Sequence, residues 1–172
     1  MHYGIWIHLL VVTVFLAILA DAIRSDVADL HIPNRLCVAL VILYPAHVVS
    51  SGLPVDWLGA LLVCLLVFAA GLAAFAARWM GGGDVKLLAA VALWVGPAAV
   101  LPFLAVTALV GGGMALVMVS RVRFRFALVA DEAGFIHLRD RLLGRVIPYG
   151  MAIAVAGWVV AGPTLVVAGA VQ

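Results

Sequence analysis

The sequence predicts an all-α integral membrane protein of six transmembrane helices. Three observations predict it. Of 172 residues, 67% are hydrophobic and 10% are charged, whereas a soluble domain is about 45–50% apolar and about 25% charged. Apolar runs of about 20 residues, the length that crosses a bilayer, alternate with short polar breaks. All ten basic residues fall in three of those breaks. A soluble globule of this size could not hide so much apolar surface, and a disordered chain has the opposite composition. Six spans would use roughly 120 residues, so a single polytopic domain, residues 1–172, is expected with no separate soluble domain.

Taken in order, the first span covers about 4–23. Met1-His2-Tyr3 brings no Lys or Arg before it, and a secretory signal needs a basic start, so this span reads as a retained helix. In the break that follows, Pro33 pushes Ile32 out of the helical region. Asn34 then stands where an N-cap would open span two, 35–53. Span three covers about 57–77. Residues 87–120 contain no charge. As one helix they would reach about 51 Å, against a hydrocarbon core of about 30 Å. They are therefore expected as two spans, about 85–101 and 103–120, turning near Val100-Leu101-Pro102. Gly111-Gly112-Gly113 in the fifth span reads as a close-packing stripe or a bend. The segment 121–145 is the largest polar piece. Phe135, Leu138, Leu142 and Val146 recur there at helical spacing, with Arg139, Arg141 and Arg145 between them. That pattern suits a helix lying on an anionic membrane surface. Span six covers about 146–168.

With six spans, the three basic clusters share one side, and the positive-inside rule makes that side cytoplasmic. Both termini then face outward. A net charge of +2 is too small to argue for a nucleic-acid partner. Cys37 and Cys64 lie in apolar runs with no C-x-x-C pair, so they read as small buried hydrophobes and not as a zinc site. His31 and His47 read as packing or interfacial residues. No metal or cofactor is expected.

The scarce groups are the acids: Asp21, Asp26, Asp29, Asp56, Asp84, Asp131, Glu132 and Asp140. Asp26, Asp29 and Asp84 fall at the cytoplasmic border, on two loops that helix packing could bring together. Asp84 follows Gly81-Gly82-Gly83 and opens span four, where an N-cap role is the simplest explanation. The three glycines permit unusual backbone angles and close approach of another chain. Lys86 is either a border anchor or a partner for a carboxylate. Asp21 lies in the last turn of span one, where an ionisable group is a functional candidate by default.

Two segments, Asp26 six positions before Ile32-Pro33-Asn34 and Gly81-Gly82-Gly83-Asp84-Val85-Lys86-Leu87, together resemble the type IV prepilin peptidases, membrane aspartic proteases of the G-x-G-D type. Ile147-Pro148-Tyr149-Gly150-Met151-Ala152-Ile153-Ala154 resembles that family's final-span signature. The chain looks most like the short form found with tight-adherence (Flp) pilus systems. The resemblance implies a catalytic pair at Asp26 and Asp84, prepilin or pseudopilin substrates, a bacterial inner-membrane location, and cleavage at the cytoplasmic face. Short members often carry basic residues before Ile-Pro-Asn, whereas this chain has Val27-Ala28-Asp29-Leu30-His31. Asp29 is therefore a rival for the first catalytic position, and Asp21 a weaker one; the six-residue spacing favours Asp26. The paired C-x-x-C motifs of the long, methylating members are absent, which implies cleavage without methylation.

Two adjacent carboxylates sharing one proton can hydrolyse a peptide, one activating water and the other polarising the carbonyl. With Asp84 at a helix N-terminus and Asp26 just past a helix C-terminus, the dipoles favour Asp84 as the ionised base. Gly81–Gly83 would let a substrate backbone lie beside the pair. The alternatives are a related G-x-G-D intramembrane protease, a noncatalytic assembly subunit, and a small proton-coupled transporter. A transporter's acids belong nearer the membrane midplane than these.

Overall fold

The structure, a computed structural model, describes residues 2–120, 122–136, 139 and 149–170. Among the described residues the helices are, in order, α1 (His2–Asp29), α2 (Asn34–Ser50), α3 (Trp57–Ala76), α4 (Gly82–Val119), α5 (Val122–Glu132) and α6 (Tyr149–Ala170). No strand occurs among the described residues. Segments Gly4–Asp29, Trp57–Ala76, Gly82–Val119 and Tyr149–Val167 are long and apolar enough to cross a membrane. At 17 residues, α2 reaches only about 25 Å. Trp6, Leu10, Ile42, Leu66, Leu101 and Leu109 all stand exposed, an exterior suited to lipid and untenable in water.

The core forms where α1, α2, α4 and α6 meet. Phe15, Leu19, Leu40, Leu87, Phe103 and Ile153 are fully buried there. α6 packs on α1 and α4, and α4 also carries α3 and α2 against it. α3 is the peripheral helix, with 11% of its apolar window buried.

Three expectations are corrected. First, α1 runs to Asp29, six residues past the expected end of span one. No helix breaker stands between Ile23 and Asp29, and an exposed Arg24–Asp21 ion pair of 2.7 Å braces the last turns. The helix stops only at Leu30, whose φ of 50° gives a left-handed cap; its N–H donates to the Asp26 carbonyl at 3.0 Å. Asp26 and Asp29 therefore sit on helix and not on loop.

Second, the turn inside the long uncharged stretch lies at Gly96, not at Val100-Leu101-Pro102. Gly96 has φ 69° and ψ 179°, a conformation essentially restricted to glycine. Pro97 follows as the first residue of the next arm, where its missing N–H costs nothing. The two arms, 82–95 and 97–119, fold back on one another. In a straight helix Asp84 and Gly111 would be about 40 Å apart. Yet Tyr149 lies against Gly111, 3.0 Å from where a Cβ would stand, and also lines the cavity that holds Asp84. Of the glycine stripe, only Gly111 makes this close contact; Gly112 and Gly113 face open space.

Third, Asn34 does not cap α2. Pro33 is the N-cap residue, without a side-chain cap bond, and the Asn34 carboxamide turns away to accept a 2.9 Å hydrogen bond from Lys86.

In the expected surface segment, α5 occupies Val122–Glu132 and ends before Gly134 (φ 79°). Ala127 and Ala130 pack under Met118, and Arg139 pairs with Asp131 at 2.9 Å. Of the periodic residues expected there, Leu138, Arg141, Leu142, Arg145 and Val146 lie outside the described residues, as do Ile147 and Pro148.

Candidate active site

Each of the two acids is set by a helix end. Asp26 lies one turn from the C-terminus of α1 and is 4% exposed. Asp84 lies in the first turn of α4, half-buried. Their side chains line one cavity of about 450 Å³, together with Ile32, Asn34, Gly81, Gly82, Gly83 and Lys86. The two carboxyls are close enough for their charges to interact. Pro33 does not line the cavity; as the extended N-cap of α2 it directs the chain past it. The Ser25 hydroxyl donates to the His31 carbonyl at 2.7 Å, tying this crossing segment back to α1.

The third wall comes from α6, and here sequence reasoning missed residues. The Met151 N–H donates to Asp26 Oδ2 at 2.8 Å. Met151 is the third described residue of α6. Gly150 makes this approach possible: a Cβ there would stand 2.5 Å from Ile32 Cδ1 and 2.9 Å from Asp26 Cγ. Tyr149, Leu30 and His31 also line the cavity. Tyr149, Gly150 and Met151 were part of a motif in the sequence but carried no assigned role. A residue serving through its backbone amide, or through its lack of a side chain, leaves no chemical signature.

The rivals are elsewhere. Asp29 is exposed and does not line the cavity. Asp21 is held by Arg24. The expected dipole argument is also incomplete. Asp26 does follow the axis of α1 towards its negative end, but it accepts the Met151 N–H of α6. That bond favours the Asp26 anion, against the expectation that Asp84 is the ionised partner.

A second cavity of about 670 Å³ adjoins the first through Gly81, Asp84 and Tyr149 and is walled by Phe75, Arg78 and Trp79. Among the described residues, no three His, Cys, Asp or Glu side chains gather as metal ligands.

Two acids from different helices, converging on one polar cavity among apolar helices, are equipped for proton transfer to and from a bound peptide. Comparison with known proteins agrees in kind. No curated protein and no solved structure matches the chain. The model of the type IV leader peptidase family matches residues 10–116, a stretch that holds both acids and the whole Gly81–Lys86 segment, and the chain belongs to that family of peptidases, whose substrates are of the prepilin type.

Proposed function

We propose that the protein is an aspartic endopeptidase that removes the leader from Flp-type prepilins and pseudopilins, with Asp26 and Asp84 as its catalytic residues. The observation that carries this reading is the shared cavity of the two carboxyls, one of them anchored by the Met151 amide. In this reading the two arms of α4 are separate spans, giving six. The basic loops are cytoplasmic, both termini face outward, and the site opens at the cytoplasmic face of the bacterial inner membrane. A prepilin leader in the cytoplasm then meets the acids without crossing the membrane. Methyl transfer is not part of the proposed activity of these residues.

The mechanism follows from the hydrogen bonding. Asp26, stabilised as an anion by the α6 amide, takes a proton from water as the water oxygen attacks the scissile carbonyl carbon. Protonated Asp84 gives its proton to the carbonyl oxygen, forming a neutral gem-diol. Asp26 then passes its proton to the leaving nitrogen while Asp84 recovers one from a diol hydroxyl, and the C–N bond breaks. The products are a new carboxyl terminus and a free amine, and the starting protonation is restored. Two like charges in one cavity disfavour double ionisation, so sharing a single proton is the natural resting state. Carboxylate-resolved infrared titration should find Asp26 ionising before Asp84; the reverse order would exchange their roles.

The activity is tested by co-expressing the protein with a Flp-type prepilin and following leader removal by gel shift. Asp26→Asn and Asp84→Asn are expected to abolish processing, and Asp29→Asn and Asp21→Asn to retain it, with all four proteins inserted. Normal processing by Asp84→Asn would overturn the proposal. Loss in Asp29→Asn, but not in Asp26→Asn, would move the pair.

A further inference from the structure

An open groove runs down the outside of the helical packing next to the acid cavity. α2 and α3 scarcely touch one another, because both pack on α4. The gap between them is a cavity of about 490 Å³, walled by Cys37, Val38 and Val41 of α2 and by Cys64 and Phe68 of α3, and floored by Ala89 and Ala90 of α4. Its lining is apolar except at one end, where Asn34 and Lys86 stand. The same two residues line the cavity of Asp26 and Asp84, and their mutual hydrogen bond at 2.9 Å marks the border between the two spaces. On α2 the groove extends from Asn34 to Ile42, about 12 Å or two helical turns.

We propose that this groove seats the first turns of the substrate's apolar helix, so that the residues after the scissile bond pass directly from the acid cavity into it. The inference rests on the peptidase reading and adds the place where specificity for a membrane-anchored substrate is read. A leader-bearing substrate must continue from a polar cleavage site into an apolar segment, and two neighbouring spaces adjoin the acid cavity. The one beyond Tyr149 includes Arg78 in its wall, a poor host for an apolar helix. The α2–α3 groove adjoins the acid cavity at Asn34 and Lys86 and is apolar beyond Lys86. Its floor of two alanines lets a second helix come close, as small residues do between membrane helices. Its walls include Val38 and Val41, which are about half exposed (52% and 48%).

The chain's two cysteines both line this groove, which supplies the test. The full-length Asp84→Asn protein is held in membranes with a prepilin bearing single cysteines at successive positions of its apolar segment, and disulfides are formed with copper phenanthroline. Cross-links to Cys64 are expected at positions three or four apart on one helical face, and not in a Cys64→Ser control. No cross-link at any position, or cross-links without periodicity, while the native chain still cleaves the same prepilin, overturns the groove and leaves the peptidase standing. Failure of the native chain to cleave any prepilin overturns both. Protection of Cys64 from maleimide by lipid alone, with nothing further on adding prepilin, identifies a lipid site and also overturns the inference. In a second measurement, Val41→Trp fills the groove from an exposed position and should raise KM for prepilin about tenfold or more, with a smaller change in kcat. A fall in kcat alone would contradict it.

Discussion

Among the described residues, polar groups are buried in two regions, near opposite ends of α1. Asp26 and His8 are 18 positions apart, about 27 Å along the helix. At the His8 end most of the polarity is met by packing, although Tyr44 Oη and His47 Nδ1 are buried without a hydrogen-bond partner among the described residues. His8 Nε2 lies 2.9 Å from the Leu165 carbonyl. His47 stacks on Trp94 at 5.3 Å, Trp94 stacks on Phe15 at 4.4 Å, and Trp94 Nε1 donates to the Leu40 carbonyl at 2.9 Å. These contacts join α1, α2, α4 and α6 into one closed cluster. At the Asp26 end the same four helices meet but do not close. Glycines replace aromatics, the chain crosses in an extended segment, and a 450 Å³ cavity is left beside the acids. The closed end holds the helices in register, and the open end uses that register to keep two carboxyl groups on one cavity. Burial alone does not distinguish a working polar group from a structural one; the space beside it does.

The comparison can be broken most sharply at Asp84. Asp84→Asn should lower leader cleavage by about 100- to 10,000-fold, the usual worth of a general acid or base, with unchanged thermal stability in detergent. Next is Gly150. Gly150→Val pushes a side chain into Ile32 and Asp26; overpacking of this kind costs about 1–3 kcal/mol, and cleavage should fall by more than about tenfold while the protein still inserts. At the closed end the signature reverses. His8→Ala removes a fully buried side chain and its hydrogen bond to the Leu165 carbonyl and should cost about 1–3 kcal/mol, read as a lower unfolding midpoint, with cleavage at permissive temperature within about twofold of native. The smallest effect is expected at Asp29. Asp29→Asn, exposed on the last turn of α1, should change both cleavage and stability within experimental error.

Much of this was legible in the sequence, for physical reasons. Apolar runs identify membrane helices because lipid tolerates nothing else, and Asp26, Asp84 and Gly81–Gly83 stand out because carboxylates and glycine triplets are costly there. What escaped depends on long-range packing. Length placed a turn within 87–120, but Gly96 rather than Pro102 takes it, because the backbone sign at one glycine decides where a hairpin reverses. Asn34 has the chemistry of a cap, yet Lys86, 52 residues away, claims its side chain. The Met151 amide on Asp26 comes from 125 residues downstream, and no local pattern announces it. The two helix dipoles alone favour Asp84 as the anion, and the Met151 hydrogen bond adds a contribution that favours Asp26 instead.

The most direct test is cleavage of a synthetic Flp-type prepilin by the purified chain reconstituted in lipid vesicles, followed by mass spectrometry. Native protein and Asp29→Asn are expected to release the intact leader at similar rates, while Asp26→Asn and Asp84→Asn release none. Leader release by either of the last two at the native rate would contradict a catalytic pair at Asp26 and Asp84.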